Sequence, residues 1–294
     1  MPPAAAGSEV SMASAEALIA AELAEPVDPR VAAMAVAIAA KYGAASRAVL
    51  FYGSCLRSRE LDGQMLDFYL IVSDYRAAYA KPWLARANRL IPPNVFPFEH
   101  AGLRAKYAVL DEADFHRLNG AEADSVSVWA RFAQPARLAW NADDSAAATA
   151  ARAIARAPRT LLSLTPGGDA LDRWRRGFTL TYGAELRAER GDRPHSIVDF
   201  DPGRYRRIAD ALGPVPALSD LDARWRRLRR RGKALTLARL AKASLTYSGG
   251  IDYLAWKINR HAGTAIAIAP WQRRWPILGA LTLLPRLLRR GAIR

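Results

Sequence analysis

Cysteine is almost absent from this chain, since Cys55 is the single one among 294 residues. One thiol cannot close an internal disulfide, and it cannot supply the several cysteines of a structural zinc site. The four histidines are scattered and show no metal-ligand spacing. These absences exclude a disulfide-stapled fold and cysteine-based zinc chemistry, and they fit a reducing compartment.

Long apolar runs are missing as well. No stretch reaches the roughly 18 uninterrupted apolar residues that a membrane-spanning helix needs. The first 30 residues hold acidic residues and no basic residue before Arg30, which argues against a secretory signal and an arginine-rich transit peptide. We therefore expect a cytoplasmic protein, soluble or peripheral, whose residues 1–30 form a disordered or weakly helical tail with a short helix near residues 14–24.

Acidic residues are scarce relative to basic ones, with 28 Asp and Glu against 43 Lys and Arg. The formal net charge is +15 and the isoelectric point is near 10.5. A charge this large favours an anionic partner such as nucleic acid, a phospholipid surface or a polyphosphate. Charge alone does not choose among the three.

Two kinds of segment follow each other along the chain. Over residues 31–142 helical and strand-like segments alternate, and the strand-like runs are short and bounded by turn residues, which predicts an α/β sheet covered by helices. The predicted helices there are residues 30–43, 75–90 and 121–133, and the predicted strands are residues 47–53, 64–72, 104–110 and 136–140. Over residues 143–265 alanine, leucine and arginine recur at helical spacing, which predicts a mostly helical second domain whose last helix covers residues 249–263. Residues 266–294 are predicted to form a C-terminal amphipathic helix.

The stretch "FYGSCLRSRELDGQMLDFYLIV", residues 51–72, carries the most specific chemistry. Gly53 and Ser54 close one apolar run and Asp67 lies inside the next, which is the layout of a nucleotidyltransferase fold. There a glycine lets the backbone approach a triphosphate, a serine hydroxyl binds a phosphate oxygen, and a carboxylate holds Mg²⁺ against the phosphates. The alternative is an ordinary strand-to-helix turn followed by a satisfied acid. An ionised carboxylate among apolar neighbours is costly without a cation or donor, which favours a functional site.

Several segments, in one order over roughly residues 48–265, resemble the mitochondrial-type CDP-diacylglycerol synthases. These are soluble phosphatidate cytidylyltransferases of the translocator assembly and maintenance family, which serve cardiolipin synthesis. The matching elements are "FYGSCL", "MLDFYLIVSD", "AKYAVL", "DSVSVWARFAQPARLAW" and "LTYGAELRAERGDRPHSIV". The resemblance implies a nucleotidyltransferase-like domain that uses Mg²⁺ to transfer CMP from CTP to phosphatidic acid, giving CDP-diacylglycerol and pyrophosphate.

The resemblance also implies the roles of particular residues. Asp67 is expected to be the principal metal ligand, and Asp67, Ser54 and Lys106 are the expected catalytic residues. Nucleotide contacts are expected from a set spread over both domains: Gly53, Ser54, Arg137, Tyr182, Glu185 and Arg187. From the residues alone, Lys106 could equally be a sheet-edge lysine and Arg137 a structural bridge to Asp124. The trio at positions 182, 185 and 187 could equally be a pairing on a helix surface.

The chain departs from the family pattern where metal ligands are concerned. Tyr69 stands at the alternate strand position that usually carries a second carboxylate, Ala80 replaces a histidine, and Arg104 replaces an acid. Glu99 and Asp111 are candidate substitutes, with a solvated glutamate and a turn aspartate as the alternatives. A site poor in carboxylates suits this chemistry, because a phosphate monoester with a second pKa of about 6 attacks as an anion and needs no general base.

The last segment, "PWQRRWPILGALTLLPRLLRRGAIR", combines tryptophan, leucine and arginine. This composition is typical of an interfacial helix that lies among anionic headgroups, and the alternative is a helix packed on the second domain. We therefore expect a peripheral protein on the inner face of a membrane.

A second basic run, "RWRRLRRRGK" at residues 224–233, would suit phospholipid or RNA. It contains one aromatic residue and belongs to no recognisable RNA-binding module, so nucleic acid is not expected as a partner. Two further hypotheses stay open: nucleotidyl transfer to RNA, protein or a small molecule, and a degenerate, non-catalytic membrane or RNA adaptor. The sequence does not determine the oligomeric state.

Overall fold

The computed structural model describes residues 4–185, 193–246 and 268–271. The centre of the protein is a five-stranded mixed sheet with the order β3-β4-β2-β1-β5. The strands are β1 (Ser46–Tyr52), β2 (Met65–Val72), β3 (Asn94–His100), β4 (Leu103–Asp111) and β5 (Ala136–Asn141). β2 and β4 run parallel, and the other neighbouring strands are antiparallel. The predicted α/β class is confirmed.

Twelve α-helices lie within the described ranges. Those before β3 are α1 (Ala4–Leu23), α2 (Pro29–Ala40), α3 (Ser54–Ser58), α4 (Tyr75–Ala78) and α5 (Pro82–Leu90). Two short ones, α6 (Glu112–Asn119) and α7 (Trp129–Phe132), lie between β4 and β5. The rest are α8 (Asp144–Ser163), α9 (Ala170–Tyr182), α10 (Arg193–Phe200), α11 (Pro202–Leu212) and α12 (Leu221–Thr246). The predicted change from alternating elements to helices alone falls between β5 and α8.

One face of the sheet is covered by α2, α4 and α5. Phe51 of β1 and Phe68 of β2 pack there against Met34 and Ile38 of α2. The two phenylalanine rings lie opposite each other in the strand register, with centroids 5.2 Å apart. Because helices cover the other face as well, the central strands show continuous apolar runs rather than alternation with polar residues.

The other face of the sheet is covered by helices from the second half of the chain. Leu50 and Tyr69 of the sheet belong to the same buried cluster as Ile154 of α8, Trp174 of α9 and Trp225 of α12. The helical region therefore shares its core with the sheet. The predicted boundary at residue 142 marks a change of element type within one continuous core.

Helix α1 lies where we predicted a disordered or weakly helical tail for residues 1–30. Ala15, Ile19 and Leu23 are buried at i, i+4 and i+8, so one stripe of the helix packs into the core. The helix near residues 14–24 is confirmed, but a tail is the wrong description of it. The helical spacing of the apolar residues in this segment could have predicted a packed helix, but the acidic composition of the segment led us to predict a tail.

The buried guanidinium of Arg204 on α11 holds α1 in place. It donates to both carboxylate oxygens of Glu22 and to the carbonyl oxygen of Ala133. Glu22 also accepts a hydrogen bond from the backbone nitrogen of Ala136 at the start of β5. One ion pair thus joins the first helix, the sheet and the helical region.

Other sequence predictions differ from the structure in detail. Strand β3 was missed, since Pro97 interrupts its pattern, and proline is tolerated there because β3 is an edge strand. The helix predicted around residues 75–90 is divided at Pro82 into α4 and α5. The helix predicted around residues 121–133 is reduced to α7, and α6 was missed.

Some predictions fall outside the described residues. The helix expected at residues 249–263 and the C-terminal amphipathic helix at residues 266–294 lie there, apart from positions 268–271. Among the helices that are described, none combines the length and the apolar character needed to cross a bilayer.

The ion pair between Arg204 and Glu22 gives a stability prediction. Arg204→Leu leaves the carboxylate of Glu22 buried without its cation, so the free energy of unfolding should fall by about 3–5 kcal/mol. Urea denaturation followed by circular dichroism measures the change. Arg206→Leu is the matched control, because Arg206 is exposed and forms no ion pair within the described residues, and its effect should stay within about 0.5 kcal/mol. Equal losses in the two variants would contradict the assignment.

Candidate active site

The turn after β1 brings a glycine against the carboxylate of Asp67. Gly53 has a φ of +96°, a conformation that residues with a Cβ rarely adopt. A Cβ added to Gly53 would lie 3.2 Å from Oδ2 of Asp67. Helix α3 begins directly afterwards at Ser54, whose side chain is exposed. Glycine is needed here for both the backbone angle and the close approach of the carboxylate.

Asp67 forms an ion pair with Lys106 on the neighbouring strand. The two residues are register partners in the parallel pair β2 and β4, and Nζ of Lys106 lies 3.0 Å from Oδ1 of Asp67. Their side chains are 21% and 33% exposed, so the pair opens to solvent at one end of the sheet. The sequence predicted that an aspartate in this apolar setting needs a cation, and Lys106 is that cation.

A second charge cluster consists of Arg131, Arg239 and the buried carboxylate of Glu185. The guanidinium of Arg131 lies 3.6 Å from Glu185, and that of Arg239 lies 4.0 Å from it. Arg131 also donates to the carbonyl oxygen of Ser127, and Arg239 donates to the Ser127 hydroxyl at 2.9 Å. The cluster joins α7, the segment after α9, and α12.

The electrostatics of Arg131 connect the two charge pairs. Burial is the largest single influence and lowers the pKa of Arg131, but the carboxylate of Glu185, the Tyr69 and Tyr52 hydroxyls and the carboxylate of Asp67 together outweigh it. The pKa of Arg131 therefore lies above its ordinary value, and the group stays charged. Glu185, only 7% exposed, is thus brought into the same charge network as Asp67.

The segment that carries Glu185 is held by close backbone packing. Tyr182 ends α9 and packs, half-buried, against the core of the helical region. A Cβ added to Gly232 of α12 would lie 2.3 Å from the carbonyl oxygen of Ala184. Only glycine lets α12 come this near, and the approach positions Glu185 between its two arginines.

Two residues of this network were missed by the sequence analysis. Arg131 lies in the quoted element "DSVSVWARFAQPARLAW", and Arg239 lies in a helix rich in basic residues. Neither position has a composition that distinguishes it from exposed arginines nearby. Arg131 is preceded by two buried residues, Trp129 and Ala130, and this apolar setting was the only available signal.

Arg137 is not brought to Asp67. Asp67 is the register partner of Tyr52, and Tyr52 is that of Ala136, so these side chains share one face of the sheet. Arg137 therefore leaves the sheet on the opposite face, and it pairs with Glu25. The alternative bridge from Arg137 to Asp124 is wrong as well, because Asp124 pairs with Arg231 at 2.6 Å. Arg187 lies outside the described residues.

The candidate substitutes for a second metal carboxylate lie away from Asp67. Asp111 is at the far end of β4, where it caps α6 by accepting from the backbone nitrogen of Asp114 at 2.8 Å. Glu99 is exposed on β3 as the register partner of Arg104. Tyr69 is buried among aromatic rings of the core. Glu99 is thus the solvated glutamate and Asp111 the turn aspartate that the sequence analysis gave as alternatives. Tyr69 is a core residue.

The donor set around Asp67 limits the kind of metal site that fits. In the part of the chain that the structure describes, no cluster of three or more His, Cys, Asp or Glu is positioned to hold a metal ion. Mg²⁺ is commonly held by one or two carboxylates together with substrate phosphates and water. Asp67 alone therefore fits a Mg²⁺ ion that arrives with a nucleotide, and it does not fit a metal site assembled before substrate binds.

Neighbouring titratable groups stay protonated at neutral pH. Burial and then the charge of Asp67 raise the pKa of the Tyr52 hydroxyl and of the Cys55 thiol. A thiol with a raised pKa is a poor nucleophile. The arrangement can bind and neutralise anions through Lys106 and Ser54, but it offers no activated nucleophile of its own.

Compared with protein-family models and with curated proteins, the chain gives no match. The resemblance described above therefore rests on the quoted motifs, and the function is argued from the site.

The contact between Gly53 and Asp67 gives a second prediction. Gly53→Ala and Gly63→Ala both force a residue with a Cβ to a positive φ, here +96° and +70°, but a Cβ at position 63 meets nothing within 4 Å. Backbone strain should cost each variant about 1–2 kcal/mol in the free energy of unfolding. Gly53→Ala should lose measurably more in urea denaturation, because the carboxylate must also move away from Lys106. Similar losses in both variants would show that the carboxylate contact contributes nothing.

Proposed function

We propose that the protein is a Mg²⁺-dependent phosphatidate cytidylyltransferase that works at an anionic membrane surface. One observation carries the proposal. Residues that the resemblance names in separate halves of the chain act on one another electrostatically: Asp67 pairs with Lys106, Glu185 after α9 pairs with Arg131, and the charge of Asp67 adds to the raised pKa of Arg131. Independent structural roles for these residues would not require them to interact.

The finer fold assignment belongs to the same proposal. A nucleotidyltransferase-like domain places a glycine and serine after one strand and an acid on the adjacent strand. Here β1 and β2 are adjacent and antiparallel, with Gly53 against the Asp67 carboxylate. This arrangement supports the assignment of the sheet and its covering helices to that fold.

In the proposed reaction a phosphate oxygen of phosphatidic acid attacks the α-phosphorus of CTP. The new phosphorus–oxygen bond forms as the bond from the α-phosphorus to the bridging oxygen of the β-phosphate breaks, and pyrophosphate leaves. Gly53 leaves room for the triphosphate, the Ser54 hydroxyl donates to a phosphate oxygen, and Lys106 balances the developing negative charge. Asp67 would hold Mg²⁺, which supplies charge neutralisation to the phosphates when bound.

The acceptor explains why one carboxylate is enough. A phosphate monoester has a second pKa of about 6, so it arrives as an anion and needs no base to remove a proton. An alcohol acceptor would require such a base. Asp111 caps α6, Glu99 lies on the edge strand β3, and Glu185 is engaged by Arg131 and Arg239, so none of these acids is assigned that role, which favours a phosphate acceptor over the hydroxyl of RNA, protein or a sugar.

A catalytic assay tests the proposal. Purified protein is incubated with Mg²⁺, phosphatidate vesicles and each of the four nucleoside triphosphates, and lipid products are separated. CTP should give CDP-diacylglycerol and pyrophosphate in equal amounts, and the other nucleotides should give little product. Absence of a CTP-dependent lipid product would overturn the enzyme proposal, and failure to bind CTP in calorimetry would favour the adaptor hypothesis.

Asp67→Asn separates the role of the carboxylate from its shape. Turnover should fall by orders of magnitude with little change in stability, because the amide cannot supply a charged oxygen to Mg²⁺. Asp62→Asn is the matched control, since Asp62 is exposed and pairs with Arg30. Ser54→Ala should lose less than Asp67→Asn, because one neutral hydrogen bond contributes about 0.5–1.5 kcal/mol. Near-normal turnover of Asp67→Asn would assign the metal to another site.

The membrane part of the proposal rests on residues 271–294, which lie outside the described residues apart from Trp271. The segment holds six arginines, and each basic residue near an anionic surface contributes about 1 kcal/mol. Deleting residues 271–294 should lower binding to phosphatidate vesicles in flotation while CTP binding in calorimetry is retained. Vesicle binding of the full chain should weaken as salt rises, because salt screens the attraction. Loss of CTP binding on deletion would make the segment part of the core.

A further inference from the structure

A cleft of about 410 Å³ opens beside α3, between α1, the start of β5 and α11. Guanidinium groups dominate its lining, contributed by Arg57, Arg59, Arg137, Arg204 and Arg207. Three acids also line it, namely Glu22, Glu25 and Asp201. The question for this cleft is whether its cationic charge is already balanced.

The three acids are all engaged by partners inside the protein. Glu22 pairs with Arg204, and Glu25 pairs with Arg137. Asp201 caps α11 by accepting from the backbone nitrogen of Arg204 at 2.9 Å. Their charges are therefore committed to holding α1, β5 and α11 together.

The lining holds five arginines against three acids, an excess of two positive charges, and its other three guanidinium groups form no ion pair with a described acid. Arg57 donates to the neutral amide oxygen of Gln134 at 3.1 Å. Arg59 and Arg207 are exposed and form no ion pair with any described residue. Three cations with no carboxylate partner around one cleft form a binding site for an anion, and the planar guanidinium suits phosphate oxygens in particular.

The backbone at Arg59 adds a second observation. Arg59 follows α3 in the left-handed conformation, with a φ of +59°. Glycine is the usual residue at such a helix end, because any other residue is strained there. Strain of this kind persists where the side chain is used, and here the side chain lines the cleft.

The cleft is placed next to the proposed nucleotide site. Arg57 follows Ser54 by one turn of α3, about 5 Å along the helix axis. Asp67, Tyr52 and Ala136 lie in one row across three neighbouring strands, so the strand beside the cleft is about 10 Å from Asp67. A phosphate bound in the cleft lies within reach of a nucleotide held at Gly53 and Ser54.

The rim of the cleft is apolar. Leu18 of α1 and Phe200 at the end of α10 line it and are exposed, Phe200 to 59%. A free phosphate gains no contact from such a rim. A phosphate monoester that carries hydrocarbon chains would contact both the guanidinium groups and these side chains.

We infer that this cleft is the acceptor site, which binds the phosphate monoester headgroup of phosphatidic acid and contacts the start of its acyl chains. The inference rests on the proposed function for its choice of acceptor. Arg57, Arg59 and Arg207 bind the phosphate oxygens, and Leu18 and Phe200 contact the lipid. The nucleotide keeps its own site at Gly53, Ser54, Asp67 and Lys106.

Binding of a short-chain substrate, measured without catalysis, tests the inference. Dioctanoyl phosphatidate below its critical micelle concentration is titrated into the full chain by calorimetry, and CTP with Mg²⁺ is titrated separately. In the double variant Arg59→Glu/Arg207→Glu the Kd for the lipid should rise about tenfold or more, the equivalent of 1.4 kcal/mol. The Kd for CTP should stay within about twofold of the wild-type value, because neither arginine belongs to the proposed nucleotide site. If the glutamates unfold the protein, Arg59→Gln/Arg207→Gln replaces them.

Two controls separate the parts of the site. Arg76→Glu/Arg86→Glu makes the same charge change at exposed positions of α4 and α5, and it should leave both affinities unchanged. Phe200→Ser should weaken binding of dioctanoyl phosphatidate but not of glycerol 3-phosphate, which lacks the chains. Loss of affinity for both ligands in Phe200→Ser would remove the apolar rim from the site.

The possible failures are distinguishable. If the double variant binds the lipid as the wild type does, or loses CTP instead of lipid, the acceptor-site inference is overturned while the proposed function stands on its own assay. If the wild type binds the lipid through these arginines but makes no product from any nucleotide, the cleft is confirmed as a phosphate-monoester site and the proposed enzyme activity fails.

Discussion

The buried carboxylate of Glu185, only 7% exposed, constrains how the two halves of this chain can pack. A carboxylate taken out of water is costly unless cations compensate it. The compensation comes from Arg131 of α7 and from Arg239 of α12. Arg239 enters the same cluster from α12 and is held by Ser127 and by the carbonyl oxygen of Pro92. Sheet and helices therefore cannot shift independently, because any shift would separate a buried charge from its partner.

This constraint has a chemical consequence at the surface end of the network. Asp67 is paired with Lys106 at 3.0 Å, and no cluster of three or more His, Cys, Asp or Glu that could hold a metal lies in the described residues. An acid paired with a lysine is poorly suited to removing a proton from an alcohol. Under the proposed function, this scarcity of carboxylates favours a phosphate acceptor.

The arginines that contribute to the net charge of +15 fall into two groups. Some arginines are committed to structure, as Arg204 and Arg137 are by the acids of α1. Others, such as Arg59 and Arg207, have no described carboxylate partner and surround a cleft at the end of the sheet where Asp67 lies. Because like charges repel, leaving cations unbalanced around one cavity costs stability, and binding an anion recovers it.

The sequence alone determined the α/β class, the positions of β1, β2, β4 and β5, and the apposition of a Gly-Ser turn with Asp67, because these depend on local apolar periodicity and on the backbone freedom of glycine. It could also state that Asp67 needs a cation. Only the tertiary structure decided which one, since Lys106 reaches Asp67 through the register of two strands distant in sequence. Only the tertiary structure also showed that Arg131 pairs with Glu185, that Arg137 leaves the sheet on the face opposite Asp67, and that α1 packs into the core. Those features depend on contacts between segments that are distant in sequence. The residues that pack around a charged side chain determine how deeply it is buried, and the local sequence contains no pattern that predicts this.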